Sequence, residues 1–252
     1  MEFAIIGFGG MGQIRYNIAT DLGHECIGIY DPLKGYTTKP ITNARKTYVF
    51  ICTKPSLHRQ FEMDYEVYAK SLFIEKPYYG PFIGGWSHRY HSFVPDLKRK
   101  GPYKSLNLVW NRSAGIPGGW FVEESSVLED LGSHLIDLAS YLCDDIFKGV
   151  YQKSDFSKGD RKFKAHWWGG DTWNYKTFDT VQISGWCGDT PITIESAWAG
   201  KADEFYISGE FLNGDEFRID IDPFEEIFKP EVRDFFDMKI QKKYPPVLRE
   251  LK

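Results

Sequence analysis

Two short stretches carry the residue types that move protons. The first is Glu75-Lys76-Pro77. A lysine at the end of a strand can polarise a hydroxyl or carbonyl and help move its proton, and the proline fixes the backbone that aims it. The bland alternative is a solvated lysine in a strand-to-loop turn. The second stretch is Asp130-Leu131-Gly132-Ser133-His134-Leu135-Ile136-Asp137. On a helix, Asp130, His134 and Asp137 fall at i, i+4 and i+7 and share one face. Leu131, Leu135, Leu138 and Leu142 repeat that spacing one residue on, so the polar stripe borders a core stripe. A histidine between two acids has raised basicity and a fixed tautomer, as acid/base catalysis needs. The same trio has a spacing that can hold a cation, but no further His or Cys lies nearby in sequence to complete a shell, and no metal is assigned. Neither a G-x-S-x-G elbow nor a Cys-His pairing supports nucleophilic catalysis.

The first dozen residues say what such groups would work with. Ala4-Ile5-Ile6 is an apolar run, and Gly7-Phe8-Gly9-Gly10-Met11-Gly12 follows at once, a G-x-G-x-x-G fingerprint on an opening strand. Gly7 permits the tight turn, Gly9 lets a pyrophosphate approach the backbone, and Gly12 lets the next helix pack on the strand. The free N–H groups at that helix start, with the positive end of its dipole, suit phosphates. A second strand, Glu25–Tyr30, ends on Asp31, nineteen residues past Gly12. A carboxylate there accepts from adenosine ribose hydroxyls and repels a 2′-phosphate, which favours NAD. Lys34 and Lys39 follow closely enough to reach a 2′-phosphate, so NADP is the other candidate.

The elements that must position these groups alternate. Tyr48–Thr53 is a continuous apolar run, as in a strand buried on both faces of a parallel sheet. A helix is expected from Leu57 to about Lys70, then a strand at Ser71–Ile74, which places Lys76 at a strand's carboxyl end, where open α/β sheets bind ligands. His58 follows a strand end, where a cofactor contact competes with a capping or packing role. After Pro77 the texture changes, with Gly and Pro through 78–86 suggesting a connection. A short helix at 92–100, a strand at 103–112 and a helix at 127–142 follow. Residues 152–176 read as an irregular, aromatic-rich excursion or a loose hairpin. From Phe178 to about Ile221, strand-like pieces are divided by turns at Cys187-Gly188-Asp189 and Asn213-Gly214-Asp215, as in an antiparallel sheet. A last helix is expected at 231–242.

The bulk numbers fit one or two globular domains of 252 residues with a sizeable core. Hydrophobic content of 42 % with 26 % charge is ordinary, and the net charge of −4 gives no reason to expect nucleic-acid binding. No run approaches a membrane span. Four cysteines, none in a C-x-x-C pair, fit a reducing cytoplasm. The aromatic share is high, at 17 %, and suits either a ring-binding cleft or a core.

Gly7–Gly12, Ile51-Cys52-Thr53-Lys54-Pro55 with His58, Glu75-Lys76-Pro77 and the D-x-G-x-H-x-x-D run from Asp130 to Asp137 together resemble, in kind and order, the Gfo/Idh/MocA family of nicotinamide-dependent oxidoreductases. The resemblance covers most of the chain. It implies an α/β protein: a Rossmann dinucleotide-binding domain over 1–91 and a C-terminal α+β substrate-binding and oligomerisation domain over 92–252, with a mostly antiparallel open sheet. It implies an NAD(P)-dependent dehydrogenase or reductase acting on CH–OH groups of a sugar, inositol or sugar nucleotide, and a homo-oligomer formed through that sheet. Carried over by position, Lys76 binds the reacting oxygen, His134 is the main acid/base, and Asp130 orients it or the substrate. Gly7, Phe8, Gly9, Gly10, Met11, Gly12, Asp31, Thr53, Lys54, Pro55, His58, Glu75 and Lys76 hold the cofactor. Arg89 and Trp120 join Lys76, Asp130 and His134 near the substrate, and Trp86-Ser87-His88-Arg89-Tyr90 resembles the last Rossmann strand with its Arg-aromatic pair.

The chain departs from that pattern by being short. Eighteen residues separate Asp31 from Val49, and a dozen separate Pro77 from Arg89. Helices are thus expected to be missing from one or both faces of the first sheet, exposing it unless a partner subunit or segment 163–178 covers it. This trimming motivates a second reading, a non-catalytic dinucleotide-binding sensor or partner protein. A third, a reductase of another ring system such as a linear tetrapyrrole, is disfavoured by the acid/base His134.

Overall fold

The computed structural model describes residues 1–40, 46–78, 80–113, 125–154, 178–198, 200, 202–223, 225–239 and 243–251. The chain forms two compact units, one of residues 1–90 and 226–242, the other of 91–225 and 243–252.

The first unit opens with β1 (Glu2–Ile6), α1 (Gly10–Asp21) and β2 (Glu25–Tyr30), followed by β3 (Tyr48–Ile51), α2 (Pro55–Tyr65), β4 (Ser71–Ile74) and the short β5 (Ile83–Gly84). Its five strands are all parallel, in the order β2-β1-β3-β4-β5. That is the doubly wound 3-2-1-4-5-6 order with its third strand removed. Among the described residues, the short span between Asp31 and Val49 holds no further strand of this sheet. The loss of that third strand makes β2 an edge strand, and β2 is accordingly half-buried along its length where its neighbour β1 is buried. Trp86–Tyr90, expected as the last strand, contains instead a 3₁₀ turn at Ser87–Tyr90, and β5 lies just before it.

The second unit contains α3 (Val94–Lys100), β6 (Tyr103–Asn111), a π-helical turn at Leu128–Gly132 that runs into α4 (Ser133–Cys143), β7 (Phe147–Ser154), β8 (Thr180–Cys187), β9 (Thr190–Ala197), β10 (Glu204–Phe211) and β11 (Glu216–Asp220). Helix α5 (Phe228–Phe236) returns to the first unit, and β12 (Val247–Glu250) ends the chain in the second. The sheet order is β11-β10-β6-β9-β8-β7-β12, with four antiparallel and two parallel ladders. Strands β8 and β9 alternate buried and exposed residues, the mark of a sheet with one face on the core and one toward water. The inner face packs Leu106, Leu108, Ile183, Ile192, Ile194 and Ile207 against the leucine stripe of α4.

Residues 226–242, assigned above to the C-terminal domain, thus belong to the first unit. Successive residues of β1, β3 and β4 point to opposite faces. Ala4, Ile6, Val49, Ile51, Leu72 and Ile74 meet Phe61 and Tyr65 of α2 on one side. Phe3, Ile5, Tyr48, Phe50 and Phe73 meet Ala19 of α1 and Val232, Phe235 and Phe236 of α5 on the other. The trimmed sheet is therefore covered by a helix from the far end of the chain. Segment 163–178, the alternative cover, lies outside the described residues except for Phe178. Helix α5 starts and stops earlier than the expected 231–242, and Met238, in a left-handed conformation, follows its end. Among the described residues, no helix is long and apolar enough to cross a membrane.

Candidate functional site

The glycine turn is fixed by sterics. Gly7 has φ +88°, and a Cβ on it would lie 2.8 Å from the backbone of Cys52. A Cβ on Gly12 would lie 2.1 Å from the carbonyl oxygen of Gly7. Neither position admits another residue without moving backbone. Gly9 is different, because nothing lies within 4 Å of its absent Cβ. Its smallness is not needed by the protein's own packing; it leaves open approach to the backbone. Gly9 is also the N-cap of α1, and no side chain caps the helix there. The first N–H groups of α1, from Gly10, Met11 and Gly12, have no acceptor within the helix, which makes this end a ready anion site.

Asp31 stands beside this turn. Its Oδ2 accepts from the Phe8 N–H at 2.8 Å, and its backbone exchanges hydrogen bonds of 2.9 and 3.0 Å with Tyr36. That tight loop stands where the missing third strand would begin. Lys39, one of the two cations considered for a 2′-phosphate, pairs instead with Asp64 at 2.7 Å. The expected cofactor preference can be tested directly. Asp31→Asn keeps an acceptor for Phe8 and removes the charge, so NADP should gain on NAD by about tenfold, the equivalent of ~1.4 kcal/mol of relieved repulsion. Parallel fluorescence titrations with NADH and NADPH read this ratio, and an unchanged ratio would remove Asp31 from the ribose site.

Thr53 follows β3 at its carboxyl end, and its Oγ1 is buried without a hydrogen-bond partner among the described residues. A buried unsatisfied hydroxyl costs about 1–3 kcal/mol, which points to a ligand atom. Lys54 occupies the N-cap position of α2 without a side-chain cap bond, and Pro55 opens the helix. His58 is 5 % exposed, and its Nε2 lies 2.9 Å from the carbonyl of Thr53. Burial holds its pKa below the ordinary histidine value, against the pull of that carbonyl, so at neutral pH it is an uncharged strut for the Thr53 loop.

Glu75, at the end of β4, sends its carboxylate inward. Oε1 accepts from Nε of Arg15 at 2.8 Å, and Arg15 also pairs with Glu231 of α5 at 2.7 Å. Lys76 is half-buried at the carboxyl end of the sheet. Arg89 is buried in the 3₁₀ turn, with Glu231 among its charged neighbours, and the next residue, Tyr90, donates to Asp234 of α5 at 3.1 Å.

In the second unit the Asp-His-Asp stripe is interior. Asp130, His134 and Asp137 are all buried, as are Leu131, Leu135 and Leu138 beside them. Asp130 sits in the π-helical turn, a feature frequent at functional sites. Its Oδ2 accepts from Nε1 of the buried Trp198 at 2.8 Å, which fixes its direction. The His134 ring lies 5.9 Å from that of Trp110, which stacks on Phe205 at 4.4 Å. Upstream, the carboxylate of Glu129 accepts from the Ser126 N–H at 2.8 Å. The Ser126 hydroxyl turns to the same carboxylate, so of a capping box, S-x-x-E, only the Glu-to-backbone half is made. Trp120 lies outside the described residues.

The comparison with protein families gives no match, and neither does that with curated proteins. Among solved structures, the chain is similar to a myo-inositol dehydrogenase from Corynebacterium glutamicum, with 13 % identity, a TM-score of 0.69, and coverage of 94 % of this chain and 87 % of that one. It is similar also to UDP-N-acetylglucosamine 3-dehydrogenase from Acidithiobacillus ferrooxidans, with 14 % identity, a TM-score of 0.67, and 94 % and 88 % coverage. A super-repressor mutant of Gal80p from Saccharomyces cerevisiae matches with 12 % identity, a TM-score of 0.66, and 97 % and 88 % coverage. At such identities the likeness is one of fold, and the chain has the α/β fold of the Gfo/Idh/MocA-type dehydrogenases, a Rossmann-type parallel sheet with a second, mostly antiparallel one.

Proposed function

We propose that the protein is an NAD(P)-dependent oxidoreductase that acts on a hydroxyl or keto carbon of a sugar-, inositol- or sugar-nucleotide-like substrate. The observation that carries this reading is the cradle of the first unit. It combines an uncapped helix N-terminus, open space at Gly9 and the orphaned hydroxyl of Thr53. These features lack a purpose in the protein's own packing and fit a dinucleotide. A bound nicotinamide dinucleotide supplies the hydride donor or acceptor. The amides of Gly10–Gly12 bind its phosphates, Asp31 the adenosine ribose, and the Thr53 hydroxyl a polar atom of the bound dinucleotide. Lys76 binds the oxygen of the reacting carbon. His134 takes the proton from that oxygen in oxidation and returns it in reduction, and Asp130 orients the site. The dehydrogenases acting on myo-inositol and on a sugar nucleotide among the fold neighbours support the substrate class.

The likeness to a super-repressor mutant favours one other reading, a dinucleotide-binding sensor without turnover. Fluorescence titration with NADH and NADPH, followed by a panel of sugars, inositols and sugar nucleotides monitored at the nicotinamide absorbance, separates the two. Binding with turnover is the expected result. Tight binding with no turnover across the panel would favour the sensor, and no binding would overturn both.

A further inference from the structure

The first unit holds a buried charge cluster that the proposed reaction does not use. Arg15, on α1, is fully buried. Its Nε donates to Glu75 at 2.8 Å, its Nη1 lies 2.7 Å from Oε2 of Glu231, and its guanidinium stacks over Phe73 and Phe228 at 4.5 and 5.0 Å. Glu231, on α5, is also fully buried. Among the described residues, Arg89, His58 and the Cys52 thiol are further titratable groups coupled to the cluster. Four pieces of the fold meet here: the helix that begins at the glycine turn, the strand that ends in Glu75-Lys76-Pro77, the 3₁₀ turn and the C-terminal helix.

As a stabilising device the cluster is poor. Buried ion pairs seldom offset their desolvation, and well-packed apolar residues serve as well or better. This one is also under-satisfied, since Nη2 of Arg15 and Oε1 of Glu231 make no hydrogen bond among the described residues. What it does provide is direction. Glu75 is held inward by Arg15, and Arg15 is held by a carboxylate on a separate element, so the backbone that carries Lys76 inherits a fixed orientation. We propose that Glu231 is a positioning residue, through which the C-terminal helix, by way of Arg15 and Glu75, sets the orientation of Lys76. The consequence for turnover rests on the function proposed above; the positioning itself does not.

Burial pushes the Glu231 carboxyl up to about 7, against the pull of Arg15. Arg15 remains a cation, because its two carboxylates outweigh the burial that opposes its charge. The cluster therefore changes charge near neutral pH. A raised folded-state pKa means that stability from this group is full below the ordinary value of 4.5 and is lost as pH rises through about 7. Thermal melts of the wild type and Glu231→Gln should thus diverge across that window, the variant being the flatter. The protonation of Glu231 should also be felt at Lys76, since Glu75 has Arg15 to itself only when Glu231 is neutral.

The decisive experiment is peptide-resolved acetylation of Lys76 by an N-hydroxysuccinimide ester, referenced to the exposed Lys148 and run from about pH 5 to pH 9. In the wild type the Lys76/Lys148 ratio should inflect near neutrality. Glu231→Gln should remove the inflection and shift the ratio by about threefold or more, within the reach of coupling between residues of one network. Val232→Ala, a packing change on the same helix, should do neither. A wild-type profile without the inflection, a Gln variant that keeps it, or an equal effect from Val232→Ala would each overturn the proposal, and the first needs no variant to fold. Where turnover is found, Glu231→Gln should lower kcat by about tenfold and leave the cofactor KM within about threefold. A failure of the function would appear as no turnover in the wild type, and labelling would then decide positioning alone.

Discussion

Lys76→Ala and His134→Ala are expected to lower turnover by about 10²–10⁴-fold each, the usual worth of a positioned proton-transfer group, while NADH still binds. The two residues have different structural costs. Lys76 is half-buried on a turn, so its truncation should leave the melting temperature almost unchanged. His134 is buried beside Trp110, and its loss should destabilise by ~1–3 kcal/mol through a small cavity and a disturbed polar stripe. Rates must therefore be compared at matched folded fraction. If the two residues serve one chemical step, the double variant should be little slower than the worse single one, because groups acting as a unit are strongly non-additive. Asp130→Asn should cost less than His134→Ala, since Asn keeps an acceptor for the Trp198 indole and loses only the charge. Unchanged turnover in both single alanine variants would sink the role assignment. Lost turnover together with lost NADH binding in Lys76→Ala would move Lys76 from the chemistry to the cofactor.

What could be read in advance divides along physical lines. Gly7 and Gly12 were legible because their demand is local: each Cβ would meet backbone within a few residues in sequence or at the adjoining strand end. Strands β1, β3 and β4 were legible because burial on both faces leaves an unbroken apolar run. Strands β7 and β12 were not. They pair with each other at one side of the second sheet, and their exposed polar residues erase the alternation that marks a half-buried strand. The Ser126-x-x-Glu129 spacing was present in the letters and marks the start of the Asp130–His134 helix, where the Glu129 carboxylate accepts from the Ser126 N–H. The Arg15–Glu75–Glu231 cluster was hidden for a different reason. A single arginine on a helix reads as a solvent face, and nothing local shows that carboxylates sixty and more residues away will close over it. Likewise the periodicity near residue 232 announces one apolar helix face but carries no address for it.

That address can be tested by the largest stability effect the fold offers. Phe235→Ala is expected to cost about 3–5 kcal/mol, the range for deleting a buried phenyl ring, out of a total stability on the order of 5–15 kcal/mol. The ring is 1 % exposed and lies 5.2, 4.8 and 5.5 Å from the rings of Tyr48, Phe50 and Phe73. Three of its neighbours stand on strands held by parallel ladders, so the site cannot collapse around the gap, which argues for the upper end of that range. An outward residue of the same helix such as Arg233→Ala should cost within about 0.5 kcal/mol. Urea unfolding followed by backbone circular dichroism reads this loss. The midpoint should fall with little change in slope, as for a stability loss without a change in the surface exposed. A loss below about 1 kcal/mol would mean that the aromatic face of β1, β3 and β4 does not depend on α5. The trimmed sheet would then need another cover. A loss of the expected size would make the C-terminal helix the layer that replaces the helices missing after Asp31 and Pro77, and would explain how so short a first half keeps both faces of its sheet out of water.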